Sequence, residues 1–265
     1  MSGPIPIVVV TGASGGIGRS IVARLAADGW GVVVHFGSDA ASAHRLVETV
    51  VASGGLAVPA QADLATSAGI DALVAHVDEL LVDDDRVELR GLVNNAGLVL
   101  GPSLGAVTAE RFDAFMAVNT RAPLMLTQQL SRRMGPGSSI VNVSSAAAHF
   151  SSPGDIVYAM SKAALESLTR NAAEALAPHG IRINSVIPGF TDNGHPALDR
   201  PEIRDYVGSF AALGGIAAPQ VVADAIAFLL SDAAARTTGA ALDVTGGTLL
   251  AARTGAPKVS LRESL

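Results

Sequence analysis

The sequence predicts an α/β fold: a single doubly wound domain whose seven-stranded parallel sheet lies between two layers of helices. Three observations carry the prediction. Short apolar runs rich in Val and Ile alternate with stretches of helical periodicity along the chain, the pattern of βαβ units whose strands are covered on both faces. At 265 residues, 49% apolar and 16% charged, the chain can build one large domain around a buried sheet. A glycine-rich turn stands between the first strand-like run and the first helical one, where a parallel sheet meets its ligand.

Strands are expected over 5–11, 31–36, 56–61, 91–93, 139–143, 181–187 and 241–244. In the first helix Ile17, Ile21 and Leu25 recur every four residues before Gly29 ends it. Leu46, Val47, Val50 and Val51 form the second stripe, closed by Gly54 and Gly55, and Ile70, Leu73, Val74, Val77, Leu80 and Leu81 form the third. The run 157–177 reads as one long helix. Crossovers of this length pack back onto a sheet right-handed, which makes the domain Rossmann-type and puts its ligand at the carboxyl ends of the strands. The triple Asp83, Asp84, Asp85 reads as a solvated loop. Residues 190–219, rich in Gly, Pro and polar side chains, read as an irregular substrate lid on a domain spanning 1–252, with 253–265 as a tail.

Composition removes several functions. Zero cysteines exclude disulfides and thiolate metal sites, and the six histidines show no paired ligand spacing, so no metal is expected. A formal charge of −6 argues against a nucleic-acid partner, which draws on clustered Lys and Arg. No apolar run approaches the ~20 residues of a membrane span. The opening residues MSGPIPIVVV lack a cationic leader, so the expected location is the cytoplasm.

Two motifs carry chemistry. In Thr11-Gly12-Ala13-Ser14-Gly15-Gly16-Ile17-Gly18 the glycines let backbone N–H groups and a helix N-terminus approach a pyrophosphate. Tyr158 and Lys162 stand four residues apart in VYAMSK, so phenol and ammonium share a helix face. A cation within ~4–6 Å favours the phenolate, and a phenol of pKa about 10 so lowered can exchange a proton with an alkoxide near neutral pH.

With these motifs in place, the chain resembles the short-chain dehydrogenase/reductases over residues 5 to 248. TGASGGIG is similar to that family's cofactor loop, Asp63 in QADL to its adenine-contacting acid, Asn94-Asn95-Ala96-Gly97 to its N-N-A-G signature, and Asn119 in AVNT to its active-site asparagine. Ser145 stands 13 residues before Tyr158, Lys162 completes Y-x-x-x-K, Pro188-Gly189 matches the turn after strand six, and TTGAALDVTGG resembles the last strand. The resemblance implies that Ser145 hydrogen-bonds a substrate carbonyl and Tyr158 acts as general acid. It further implies that Lys162 lowers the tyrosine pKa while holding the nicotinamide ribose, and that Asn119 holds a water behind Lys162. On the residues alone, Ser144 can exchange roles with Ser145, Asn94 and Asn95 can bridge backbone groups, and Asp63 can be a helix N-cap. The chain departs from the family at Gly215 and in VTGG, and Thr191 is displaced from the usual place of the threonine that meets the nicotinamide amide.

The cofactor loop implies Gly12, Ser14, Gly15, Gly16, Ile17 and Gly18 as cofactor contacts, with Leu64, Asn95, Ala96, Gly97, Pro188, Gly189 and Thr191 joining them along the strand ends. An acid at the end of strand two would select NAD by binding the ribose 2′-OH; Phe36 stands there, so NADP(H) is favoured over NAD(H). Gly15 sits where Arg is frequent, leaving His35, Ser38 and Arg45 as polar partners for a 2′-phosphate. The expected function is reduction of a ketone or aldehyde, most similar to the 3-oxoacyl and polyketide-type ketoreductases. The alternative is a catalytically inactive nucleotide-binding regulator or scaffold, against which the complete Asn119, Ser145, Tyr158 and Lys162 set argues. A homotetramer or homodimer joined through the helices bearing Asn119 and Tyr158 is expected by resemblance.

Overall fold

A computed structural model describes residues 3–250; the expected tail 253–265 lies outside the described residues. Seven parallel strands run in the order β3-β2-β1-β4-β5-β6-β7: β1 Ile5–Val10, β2 Gly31–Phe36, β3 Ala57–Gln61, β4 Val87–Asn94, β5 Ser139–Val143, β6 Arg182–Pro188 and β7 Ala241–Val244. Helices α1 Gly16–Ala27, α2 Ala40–Ala52, α3 Ser67–Asp83, α4 Ala109–Met116, α5 Ala122–Leu130, α6 Ile156–Leu176, α7 Pro201–Gly208 and α8 Pro219–Leu230 lie between them. Val10 is in register with Val34 on one side and Val93 on the other, so the strand order reverses at β1. Such a reversal opens a crevice at the carboxyl ends of β1 and β4.

The period of two in β1 divides the core. Val8 and Val10 face a cluster with Ile21 and Leu25 of α1, Val50 of α2, and Val222 and Ile226 of α8. Ile7 and Val9 face the opposite cluster with Leu73 and Val77 of α3, Leu126 and Leu130 of α5, and Leu176 of α6. Full burial of each such side chain is worth about 1.5–3 kcal/mol; the polar side chains buried in β5 and β6, Asn142, Asn184 and Ser185, are hydrogen-bonded.

Three expectations need correction. β4 begins at Val87, not 91, because Val87 and Leu89 are buried while Glu88 and Arg90 alternate outward as an ion pair; their charges hid a half-covered strand. The segment 190–219 is not irregular: it holds a 3₁₀ turn, Pro196–Asp199, and α7, whose start Pro201 supplies by fixing φ. Asp83–Asp85 is more than a solvated loop, since Asp84 receives the backbone N–H and guanidinium of Arg86, which hold its carboxyl down at about 2. No helix among the described residues is long and apolar enough to cross a membrane.

Candidate active site

The crevice floor is made by the β1–α1 turn and the end of β4. The Thr11 hydroxyl donates to the Val93 carbonyl and accepts the Asn95 and Ala96 N–H groups, clamping the two strand ends together. Gly12 has φ +62°, and a Cβ there would stand 2.8 Å from Ala96 Cα. A Cβ on Gly18 would collide with the Gly12 carbonyl oxygen. α1 begins behind Gly15 with no side-chain cap, so its first-turn N–H groups are available to an anion. This cradle fits a dinucleotide pyrophosphate, with Ser14 and Ile17 half-buried in the same turn.

His35 is not a partner for a 2′-phosphate. Its ring is 2% exposed; Nδ1 accepts the Gly12 N–H at 3.0 Å and Nε2 donates to the Ala62 carbonyl at 3.1 Å. Burial pushes its pKa down, so it is a neutral brace beneath the loop. Phe36 is also buried, edge-on to His44, and its side chain belongs to the core. Leu64 is likewise a core residue. The exposed residues at this corner are Gly37, Ser38 and Asp39, whose carboxylate caps α2 through Ser42 N–H. The Ser42 bonds do most to hold that carboxyl below its ordinary value, and the nearby charges of Arg45 and Arg19 add to them. Arg19, one residue past the last loop glycine, is a cation that motif reading passed over.

The open alternatives resolve. Asp63 does not cap α3: Thr66 does, accepting the Gly69 N–H, while the exposed Asp63 carboxylate accepts the Ala65 N–H. Asn94 and Asn95 bridge: Asn94 donates to Asn142 across the sheet, and Asn95 donates to the Thr11 and Gly12 carbonyls. Ser144 is 2% exposed and donates to Glu166, whereas the Ser145 hydroxyl bonds Tyr158 and accepts the Ala147 N–H. Ser145 therefore faces the phenol.

Asn119 sits in a π-helical turn, Ala117–Arg121, inserted between α4 and α5; such widened turns aim a side chain inward. Its Oδ1 accepts the Leu98 N–H, and its Nδ2 donates to the Leu98 carbonyl and to Ser161 Oγ. Both amide hydrogens are thus occupied, leaving the second lone pair of Oδ1 as the remaining hydrogen-bonding capacity. That oxygen and Lys162 Nζ both lie beside Gly97, 3.3 and 3.4 Å from where a Cβ would be.

Lys162 is 4% exposed and donates to the Val143 carbonyl at 2.7 Å, and burial lowers its pKa to about 8. Tyr158 shifts opposite to the sequence expectation. Burial raises the phenol above its ordinary value, Asp155 adds to the rise and the Ser145 bond works against it. The ammonium, 5.7 Å from the ring centroid, is turned to Val143 and not to the hydroxyl. Tyr158 is consequently a neutral phenol at physiological pH, the form a proton donor needs. Asp155 accepts the Gly101 N–H, tying the 98–104 loop to the start of α6, and burial raises its carboxyl pKa.

After β6, Gly189 passes so close to Thr245 that a Cβ would stand 2.8 Å from its carbonyl. Thr191 turns inward, donating to the Gly189 carbonyl and bridging Ala217. The Asn193 carbonyl lies over Gly16, so the segment after β6 crosses the phosphate cradle.

The family model described as Enoyl-(Acyl carrier protein) reductase matches residues 12–248. The chain belongs to the short-chain dehydrogenase/reductase family. Within it, an uncharacterized oxidoreductase of Methylorubrum extorquens is 36% identical over 245 residues, 91% of this chain and 96% of that one. A 3-oxoacyl-[acyl-carrier-protein] reductase of Synechocystis is 32% identical over 249 residues, 92% and 97%. The crystal structure of the angucycline C-6 ketoreductase LanV with bound NADP superposes with a TM-score of 0.89 at 38% identity, covering 94% of this chain and 98% of that one. As a family member the protein is an NAD(P)H-dependent oxidoreductase, and the family's signature residues fall on the crevice described above. Missing from the motifs are Ser161, which orients Asn119, and the carboxylates of Asp155 and Glu166. Polar side chains inside a helix that reads as apolar were the signal available for Ser161 and Glu166.

Proposed function

We propose that the protein reduces a bulky ketone or aldehyde to an alcohol with NADPH, Tyr158 giving the proton. The observation that carries this reading is the Ser145–Tyr158 hydroxyl pair at the cradle's edge, with Tyr158 held as a neutral phenol. NADPH supplies the hydride to the carbonyl carbon. The C=O π electrons move to oxygen, which takes the Tyr158 proton while Ser145 Oγ donates a hydrogen bond to the same oxygen. Lys162 holds the nicotinamide ribose, and Asn119 keeps the 98–101 backbone and α6 in register, its free lone pair being suited to a water on the way to Lys162. The cradle, Asp63, Asn95, Ala96, Gly97, Pro188, Gly189 and Thr191 hold the dinucleotide through backbone and carboxylate groups. Arg19 and Arg45 lie beside the ribose corner, which has no free acid at Phe36, and NADP or NADPH is named in several solved relatives.

Bulk and apolarity come from the site's surroundings. Leu100 and Leu104 are exposed on the loop whose Gly101 packs on the Tyr158 backbone, and the Phe210 ring lies tilted against Phe190 and edge-on to Tyr206. Apolar surroundings of this kind suit a ring system, and one structural relative is named as an angucycline ketoreductase. The outer faces of α5 and α6 form a groove lined by Leu124, Leu168 and Ala172, which suits association into a dimer or tetramer. The test is NADPH oxidation with polycyclic ketones, a 3-oxoacyl thioester and an α,β-unsaturated ketone, with product analysis. Alcohol formed from the ketone supports the reading; reduction of the C=C bond alone refutes it.

A further inference from the structure

Behind the Ser145–Tyr158 pair lies a group that the proposed reaction leaves idle. Glu166 is a carboxylate on the buried face of α6, 5% exposed, without a Lys or Arg partner among the described residues. Its Oε1 accepts the Ser144 hydroxyl at 2.5 Å and binds His149 Nε2 at 2.9 Å. A carboxylate only accepts, so His149 Nε2 carries the proton. Burial of a carboxylate costs several kcal/mol unless it is well bonded, and a hydrophobic residue would fill this helix position more cheaply. A structure that keeps the charge obtains something else from it.

What it obtains is visible in the connectivity. Ser144 and His149 bracket the segment 144–149, which carries Ser145 and a single 3₁₀ turn, Ala146–Ala148. Both ends of that segment bond the same oxygen atom, and that oxygen belongs to the helix that carries Tyr158 and Lys162. The Ser144 hydroxyl is also 3.5 Å from the Lys162 carbonyl. We propose that Ser144, Glu166 and His149 form a clasp that sets the position of Ser145 relative to Tyr158. They are positioning residues, and none of them touches substrate. This rests on the reading of Ser145 and Tyr158 as the pair that receives the carbonyl oxygen.

The physical requirement is strict. Two hydroxyls must converge on one oxygen, each within about 2.6–3.2 Å, and a misplacement of about 1 Å can cost a hundredfold in rate. Without the clasp, the Ser145 segment keeps only the Ser144 N–H bond to Val186, the Ser145–Tyr158 bond and the burial of Ala146 and Ala147. Cofactor binding does not use this segment, so the predicted loss falls on the chemical step.

The experiment compares Glu166→Ala, Glu166→Gln and His149→Ala with the unmodified full-length protein, measuring kcat, KM, NADPH Kd by fluorescence and amide hydrogen exchange. Glu166→Ala should lower kcat about ten- to a hundredfold with NADPH Kd within about twofold. It should also speed exchange in 144–149 while leaving β6 protected. Glu166→Gln, which keeps an acceptor for Ser144 and can donate to the opposite His149 tautomer, should recover most of the rate. His149→Ala alters a half-exposed residue and should still fold, with an intermediate loss. If kcat of folded Glu166→Ala matches the unmodified protein, or if the glutamine variant is no better than alanine, the clasp is refuted. Tyr158→Phe keeps the two readings apart. Should it retain full activity, the assignment of the proton donor falls, and the clasp is then judged by hydrogen exchange alone. Unchanged exchange over 144–149 in Glu166→Ala refutes it in that case too.

Discussion

The inner and outer halves of the site are built on opposite terms. At the strand ends, Asn119, Ser144, Ser161, Lys162 and Glu166 are buried, and each side chain has a named hydrogen-bond partner. Beyond β6, Tyr206 and Leu213 are 66% and 88% exposed; the Arg204–Asp192 ion pair joins α7 to the segment after β6, and backbone bonds tie that segment to Ala217 and Leu213 to Gly246. Buried polar networks fully satisfied in this way are rigid, while segments with few buried contacts open easily. In the function proposed above, the contrast corresponds to chemistry in the inner half and choice of substrate in the outer one.

The largest effect should come from breaking the inner half. Tyr158→Phe removes the proton donor without removing volume and should cut carbonyl reduction by about 10²–10⁴-fold, with the fold and NADPH affinity intact. Lys162→Ala should do worse and weaken NADPH binding as well, because it removes both the ribose contact and the bond to Val143. A Lys162→Ala protein that binds NADPH normally would show that the ribose is held elsewhere.

Cofactor choice sharpens the contrast, since it lies on the inner half's edge. Sequence position alone nominated Phe36 for an NAD-selecting acid, but Phe36 is core, and Phe36→Asp should unfold or severely weaken the domain by the ~3–5 kcal/mol typical of losing a buried Phe. Gly37 is exposed, and a Cβ there meets nothing within 4 Å. Gly37→Asp should therefore fold normally and place a carboxylate where it binds a 2′-OH and repels a 2′-phosphate. Unmodified protein should favour NADPH over NADH about ten- to a hundredfold in kcat/KM, and Gly37→Asp should reverse that, a change of roughly 1.4–2.8 kcal/mol per direction at 1.4 per decade. An unmodified preference for NADH would show that Asp39, free of Ser42, serves the ribose.

What the sequence made legible follows from how local each signal is. Strands β1, β2 and β5 are runs rich in Val and Ile, and the spacing from Ser145 to Tyr158 and Lys162 survives folding because one helix carries two of the three. The roles of His35 and Phe36 were misplaced, since which face of a strand end is open depends on how α2 packs, whereas for Asp63 only the alternative of a helix cap falls, Thr66 taking that place. Lys162 was read as the tyrosine's acidifier because helix spacing shows proximity of Cα atoms, not that Nζ would turn to Val143. The Glu166 clasp joins residues 17 and 22 apart through tertiary packing, which no motif spells out.

pH separates the two ionisable members of the inner half. Lys162 loses its proton near about 8, whereas Tyr158 keeps its own above the ordinary phenol value. If the ammonium is needed for reduction, kcat/KM should be level below about pH 8 and fall up to tenfold per unit above it, although the donor phenol is still protonated. The sign for stability is opposite: the unfolded lysine holds its proton to about 10.4, so from about 8 upward the unfolded chain binds more protons and burial of Lys162 costs progressively less. Denaturation midpoints that fall between pH 8 and 10 in unmodified protein, but not in Lys162→Met, would contradict that shift.

The smallest effect should come from loosening the outer half, and it is the one that tests the division itself. Arg204 Nη1 donates to Asp192 at 2.9 Å on a half-exposed surface, a pair worth about 0.2–1 kcal/mol. Arg204→Ala frees α7 from the segment that follows β6 while leaving Ser145, Tyr158 and Lys162 untouched. A change of that size corresponds to about a 1.4- to fivefold rise in KM for a bulky ketone at 1.4 kcal/mol per decade, and kcat and NADPH Kd should hold. Hydrogen exchange should be faster over 201–208 than over β6 in the unmodified protein, faster again in the variant, and slowed by a bound ketone. If Arg204→Ala instead lowers kcat for a small ketone that cannot reach Phe190 or Tyr206, the lid shapes the chemical step. The outer half would then be part of the catalytic apparatus and not only a selector of what enters it.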